Sequence, residues 1–247
     1  DVFMGNDTLT TQEETNLALG IPPADAVTLF KLNEGRETTA YDEGSGADDG
    51  TLGALATWAW GGCHQPVIGF AGIDQWGRSP LYQKGNGDLT MIWVGRLKSP
   101  YLGLAAAKPY CVFSTIYIDA DNRLDLYYDQ GNDEIRGLLE GVATTVIADG
   151  FTSPFSYNDY AVFMLTSGVD GSIRLYANGS LVSYISGAGA IPGINGRFNL
   201  QSGSGGSNYN VSDVLACGVI NGVVDTDEAR ETTKIIDDQF NMGVKFL

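Results

Sequence analysis

The sequence predicts an all-β protein, two antiparallel sheets stacked as a sandwich, and three observations carry that expectation. Short apolar runs with two-residue alternation recur along most of the chain at the spacing such sandwiches use. The composition, with 33 Gly and 12 Tyr, favours strands and turns over helices. Asn178-Gly179 stands between two alternating runs, and this dipeptide accepts the positive φ angles of a two-residue type I′ hairpin turn.

Length and charge narrow the possibilities further. A chain of 247 residues fits one large β domain and should bury about 70 to 75% of its unfolded surface, so its core needs no staple. Against 14 Lys and Arg stand 30 Asp and Glu, a net charge of -16 that repels phosphate backbones and argues against nucleic acid as a partner. The excess acid suits solubility or divalent cations. Cys63, Cys111 and Cys217 cannot all pair within one chain, and their spacing matches no zinc motif. Cys111 and Cys217 lie in apolar runs and read as buried thiols; a Cys63–Cys111 pair stays open. No run of about 18 apolar residues is present, so no spanning helix is expected. The first residue is Asp and no signal peptide is visible, so the start identifies no compartment.

In chain order, residues 1–24 form an arm distinct in character from the strand-forming remainder. Thr11 and Glu14 have capping-box spacing ahead of Leu17 and Leu19, which predicts a short helix stopped by Pro22-Pro23. Such an arm packs on its own domain or on a neighbouring subunit. One sandwich domain is expected over 25–247. It opens with a strand through Phe30, Leu32 and Glu34, then an acidic Gly-rich loop holding Asp42, Glu43, Asp48 and Asp49, then a short strand from Thr51 to Leu55. Trp58 to Asp88 reads as a long Gly-rich connection containing Trp60, His64, Trp76 and Tyr82. Leu89 to Leu97 is apolar on both faces, as a central strand should be.

Strands are expected next at Val112–Ile118 and Arg123–Asp129, split by the turn Asp119-Ala120-Asp121-Asn122. In the second, Leu124, Leu126 and Tyr128 form a dry face, while Arg123, Asp125 and Tyr127 form a wet one. Val142–Ile147, Tyr160–Thr166, the hairpin, Gly196–Gln201 and Val211–Ile220 complete the set. In the hairpin a regular register sets Leu175 opposite Val182 and Ile173 opposite Tyr184, leaving Arg174, Tyr176, Leu181 and Ser183 on the other face. Asp225 and Glu228 repeat the capping-box spacing before Ala229, Ile236 and Phe240, which predicts a closing helix of about three turns.

Three stretches together resemble laminin-G-like domains of the concanavalin A-like jelly-roll superfamily. They are Leu29 to Trp58 (LFKLNEGRETTAYDEGSGADDGTLGALATW), Ser172 to Ile185 (SIRLYANGSLVSYI), and Asp213 to Ile220 (DVLACGVI) with DTDEAR beyond it. The resemblance spans about residues 25 to 240. It implies a two-sheet antiparallel jelly-roll sandwich whose first and last strands are neighbours. It also implies a structural Ca²⁺ where the acidic loop meets the closing strand, with Asp42, Asp49 and Asp213 as the matching positions.

No catalytic constellation is legible. The glycosidases of that superfamily carry a Glu-x-Asp-x-Glu string, and this chain has none; Asp121-x-Arg123-x-Asp125 puts a cation in the middle. His64 is the only histidine, adjacent to Cys63, and neighbours on an extended chain point apart. For sugar binding, Trp60, Trp76 and Tyr82, or Arg174 and Tyr176 on the hairpin, supply rings and donors that suit pyranose faces and hydroxyls. The expectation is a non-catalytic sandwich for recognition or assembly at an extracellular, cell or virion surface. It would bind glycan or serve as a structural subunit, as a homo-oligomer, with a glycoside hydrolase or polysaccharide lyase as the alternative.

Overall fold

A computed structural model describes residues 26–30, 39–41, 49–52, 57–60, 66–71, 77–83, 88–99, 110–119, 122–129, 134–141, 144–152, 159–186, 195–200 and 211–244. The 1–24 arm with its expected helix, His64, Cys63 and the proposed Cys63–Cys111 pair lie outside the described residues, as do Asp42 and Trp76.

Among the described residues, sixteen antiparallel strands form two eight-stranded sheets, the sandwich the sequence predicts. The first sheet runs in the order β14 (Ser180–Ile185), β13 (Ile173–Ala177), β12 (Tyr160–Ser167), β7 (Leu89–Ser99), β16 (Val211–Asn221), β5 (Pro66–Ala71), β4 (Thr57–Trp60). β1 (Ala26–Phe30) joins it by pairing with the C-terminal half of β16. The second runs β11 (Thr144–Thr152), β10 (Glu134–Gly141), β9 (Asn122–Asp129), β8 (Tyr110–Asp119), β15 (Asn195–Leu200), β6 (Gly77–Gln83), β3 (Gly50–Leu52), β2 (Thr39–Ala40). First and last strands are indeed neighbours: Phe30 stands opposite Cys217, itself a buried thiol.

Alternation builds the core between the sheets. Met91, Trp93, Phe163, Leu165, Leu175 and Val219 from the first sheet meet Ile116, Leu124, Leu126, Ile135 and Leu139 from the second. Trp93 stacks on Phe163 with ring centroids 5.6 Å apart. Gly137 of β10 sits where the two sheets approach closely, because a Cβ there would collide with the Leu165 side chain.

Two strand assignments are corrected. The segment Trp58–Asp88, expected as one long connection, contains β4, β5 and β6, four to seven residues each. Runs this short, cut by Gly, are hard to tell from loop by periodicity. β10 was not expected either, because Gly137 on the inward face and Leu138 on the outward one break its apolar alternation.

The closing helix covers Thr226–Phe240, about four turns rather than three, and its capping box forms as expected: the Glu228 N–H donates to Asp225 Oδ1, and the Asp225 N–H donates to Glu228 Oε2. It lies on the outer face of the first sheet. Ala229, Ile236 and Phe240 seal Ile92, Val94, Val162, Met164 and Tyr176 beneath them. β7 is therefore buried on both faces.

Candidate ligand-binding faces

The hairpin is tied to its sheet through its turn. Asn178 (φ 47°) and Gly179 (φ 77°) both take positive φ, the type I′ signature. Asn178 also extends the ladder sideways: its backbone N–H donates to the Val162 carbonyl at 2.9 Å, while its side-chain Oδ1 accepts from the Val162 N–H at 2.9 Å. A Cβ on Gly179 would press on Arg230 Cα at 2.8 Å, so the turn is held against the helix.

Beyond the turn the regular register fails. Tyr176 pairs with Leu181 as expected, but Leu175 pairs with Ser183 and Arg174 with Tyr184. One extra residue, Val182, is accommodated in a bulge. The physical reason lies in burial: Val182 and Ile185, three apart, both pack against the inter-sheet core, which an unbroken strand cannot arrange. The bulge turns Tyr184 onto the face of Arg174, contrary to the sequence-based register. There the Arg174 guanidinium lies 5.0 Å from the centroid of the Tyr184 ring, which is 51% exposed.

Tyr176, expected to bind ligand, is a core residue. It is 1% exposed beneath the helix, and its hydroxyl donates to the Val224 carbonyl at 2.8 Å. The hairpin's polar face is thus covered at Tyr176 and open at Arg174 and Tyr184.

Two of the three expected calcium positions, Asp213 and Asp49, lie among the described residues. Asp213 lies in β16 at the middle of the first sheet, 1% exposed, and its Oδ2 accepts from Arg96 Nε at 2.9 Å and Nη2 at 2.7 Å. A guanidinium supplies the positive charge there. Asp49 is exposed beside β3, in the other sheet. Among the described residues no group of three His, Cys, Asp or Glu is placed to hold a metal. Trp60 falls in β4 and Tyr82 in β6. The two strands belong to different sheets.

The outer face of the second sheet has a different character. Register places Arg123 opposite Glu140, Asp125 opposite Leu138, Tyr127 opposite Arg136 and Asp129 opposite Glu134. Arg123 binds Glu140 through Nε at 2.7 Å and Nη2 at 2.6 Å, with Asp125 at 3.5 Å. Arg136 is bracketed by Asp129 at 2.7 Å on Nη1 and by Glu134 at 2.7 Å on Nη2. Burial pushes the Tyr127 phenol above its ordinary range, while the Arg136 guanidinium that hydrogen-bonds it pulls the other way. The phenol therefore stays protonated at neutral pH. The wet face expected of this strand is polar but largely covered, with Asp125 3% and Tyr127 8% exposed.

Register continues the ladder of the second sheet from β9 to β3. Opposite Arg123 stands Tyr117, and opposite Tyr117 stands Arg197; opposite Asp125 stands Thr115, then Asn199, then Arg78, then Thr51. Sequence reasoning missed the salt-bridged members of this ladder. Their signal was present: charges fall at every second position in Arg123, Asp125 and Asp129, and again in Glu134, Arg136 and Glu140.

No protein-family model matches the chain, and no curated protein matches it in sequence. Solved structures match its fold. The binding domain of botulinum neurotoxin serotype D superposes with a TM-score of 0.65 at 9% identity over 85% of this chain and 52% of that one. Trypanosoma rangeli sialidase gives 0.63 at 17% over 89% and 34%. Domain 4 of AbnA, an extracellular GH43 arabinanase from Geobacillus stearothermophilus solved with arabinotriose, gives 0.65 at 11% over 85% and 98%. The chain thus spans about half of the toxin binding domain, a third of the sialidase chain and nearly all of the arabinanase domain. At these identities the likeness establishes the β-sandwich fold.

Proposed function

We propose that this chain is a non-catalytic, laminin-G-like recognition module that binds glycans through the outer face of the second sheet. The observation that carries this reading is the array formed by Arg123, Asp129, Glu134, Arg136 and Glu140, part-exposed side chains of both charges fixed by ion pairs along the four rows that β9 and β10 share. Rows of side chains on one face of a sheet recur about every 7 Å, so these four rows span about 20 Å, the footprint of an oligosaccharide rather than of a single ring. Donors and acceptors already held in place lose little entropy when sugar hydroxyls replace water. The arabinotriose bound by the arabinanase domain of the same fold and comparable size supports the ligand class.

A hydrolase is the second reading, because Asp129 and Glu134 stand directly opposite each other. Both carboxylates bind the same guanidinium, however, and a general acid needs a proton there instead. We place the module at an extracellular, cell or virion surface, where a glycan partner would be met. Its assembly role and the calcium reading turn on residues 1–24 and Asp42.

A glycan array with calorimetry on each hit tests the proposal. Arg136→Gln should weaken binding about tenfold or more, and no reducing sugar should be released. Failure to retain any glycan, or retention that Arg136→Gln leaves unchanged, would refute the sheet-face reading. Sugar release would replace it with the hydrolase.

A further inference from the structure

The salt-bridged arginines of the two sheets differ from Arg174. Arg96, Arg123 and Arg136 each bind a carboxylate at 2.6 to 2.7 Å. Arg174, half-buried, has no carboxylate or hydrogen-bond acceptor among the described residues; the face of Tyr184 is its contact. A guanidinium offers five N–H donors in a planar fork, and here no acceptor among the described residues takes them. Asp170, Asp225 and Glu228 lie in the same neighbourhood without reaching an ion pair with it.

The neighbours of Arg174 on the outer face of the first sheet define its setting. Its cross-strand neighbour on one side is Thr166, which is fully buried and whose Oγ1 has no hydrogen-bond partner among the described residues. On the other side is Tyr184, 51% exposed, with Leu181, 41% exposed, one row further on. Tyr184 and Leu181 are two of the few large apolar side chains left open among the described residues; the bulge at Val182 puts Tyr184 opposite Arg174, and Leu181 stands opposite Tyr176 in the next row. A cationic fork next to an open aromatic ring and a small apolar shelf is a site with one polar and one apolar half. Bulges are commonly retained where a side chain must be re-aimed at a ligand.

We infer that Arg174, Tyr184 and Leu181 form a second binding site, separate from the charged face of the other sheet, for a sugar that bears a carboxylate. The guanidinium takes the carboxylate through two parallel N–H···O bonds. The Tyr184 ring takes the C–H face of the pyranose, and Leu181 lies under its edge. The ion-paired arginines of the other sheet are already engaged by carboxylates of the chain itself, so an acidic ligand would have to displace those; at Arg174 no carboxylate of the described residues has to give way. The inference rests on the glycan reading for its choice of a sugar, but the site stands on its own residues.

Titrating the whole chain with methyl glucuronide, methyl glucoside and acetate, and following the Arg174 Nε–H and Tyr184 ring signals by NMR, tests it. Methyl glucuronide should give saturable shifts at both residues, methyl glucoside none at comparable concentration, and acetate a weaker response confined to Arg174. Arg174→Gln should weaken glucuronide binding about 10- to 100-fold, and Tyr184→Ala about 3- to 10-fold while leaving acetate unchanged. Arg136→Gln should leave the titration as it is, which separates this site from the proposed sheet face. Equal response to glucoside and glucuronide overturns the acidic class. Equal binding of acetate and glucuronide overturns the sugar. Absence of any shift at Arg174 overturns the site, whatever a glycan array shows elsewhere on the molecule.

Discussion

The two outer faces of this sandwich are made from strands of the same kind and serve opposite ends. On the first sheet, outward positions carry Ile92, Val94, Val162, Met164 and Tyr176, and a helix covers them. On the second, outward positions of β9 and β10 carry arginines and carboxylates locked together in pairs. The first face holds the fold together; the second is preorganised and polar, and so suited to recognition. At the hairpin edge, where the bulge exposes Tyr184 next to Arg174, the first sheet gains a polar, open patch of its own.

This contrast can be broken most forcefully under the helix. Phe240→Ala removes a ring that is 3% exposed against the outer face of the first sheet and should cost about 3 to 5 kcal/mol in chemical denaturation. Asn178→Ala should cost about 2 to 3 kcal/mol, because the buried Val162 N–H loses its acceptor and Ala tolerates the positive φ poorly. At the edge of the helix, Asp225→Ala should cost about 1 kcal/mol through loss of the N-cap.

The charged face should behave the other way round. Arg136→Gln there should lower stability by about 1 kcal/mol or less, since its pairs are partly solvated, while its effect on glycan binding is the large one. Equal losses of stability from Phe240→Ala and Arg136→Gln would erase the distinction between the faces.

The smallest effect concerns acid. In the turn between β12 and β13, hydrogen bonds from the Ser172 side chain and backbone N–H hold the Asp170 carboxyl below its ordinary value of 3.8. An acid whose folded value is depressed adds stability at pH above its unfolded value, and that stability is lost as pH falls through the folded value. Asp170→Asn should therefore flatten slightly the acid limb of the melting temperature, below pH about 4, with no change at neutral pH in that slope.

Much of the fold was legible because local chemistry and tertiary structure agree there. Asn178-Gly179 supplies the turn, Asp225 and Glu228 supply the cap, and Leu89 to Leu97 reads as the doubly buried strand it is. Less of the binding surface was legible, for two different reasons. Charges alternating along β9 and β10 were in plain view, but which arginine meets which carboxylate is fixed by register between strands, which one segment does not encode. The bulge was visible only as Val182 and Ile185 standing three apart, and it takes the core between the sheets to show that both must point inward. That single extra residue turns Tyr184 outward, while the closing helix covers Tyr176. The pairing of Asp213 was hidden for a related reason, since its partner Arg96 is more than a hundred residues away.

The pairing of β1 with β16 also has a mechanical side. Ala26, where β1 begins, is opposite Ile220, near the end of β16, so a load pulling the two strands by these ends acts on the same rung. Once the helix has been lifted from its sheet, tension would open this pair like a zipper, one hydrogen bond after another, instead of shearing all of them together. Anchored at both ends, the domain would yield first at its outermost strand, while the rungs between β7 and its two neighbours stayed closed.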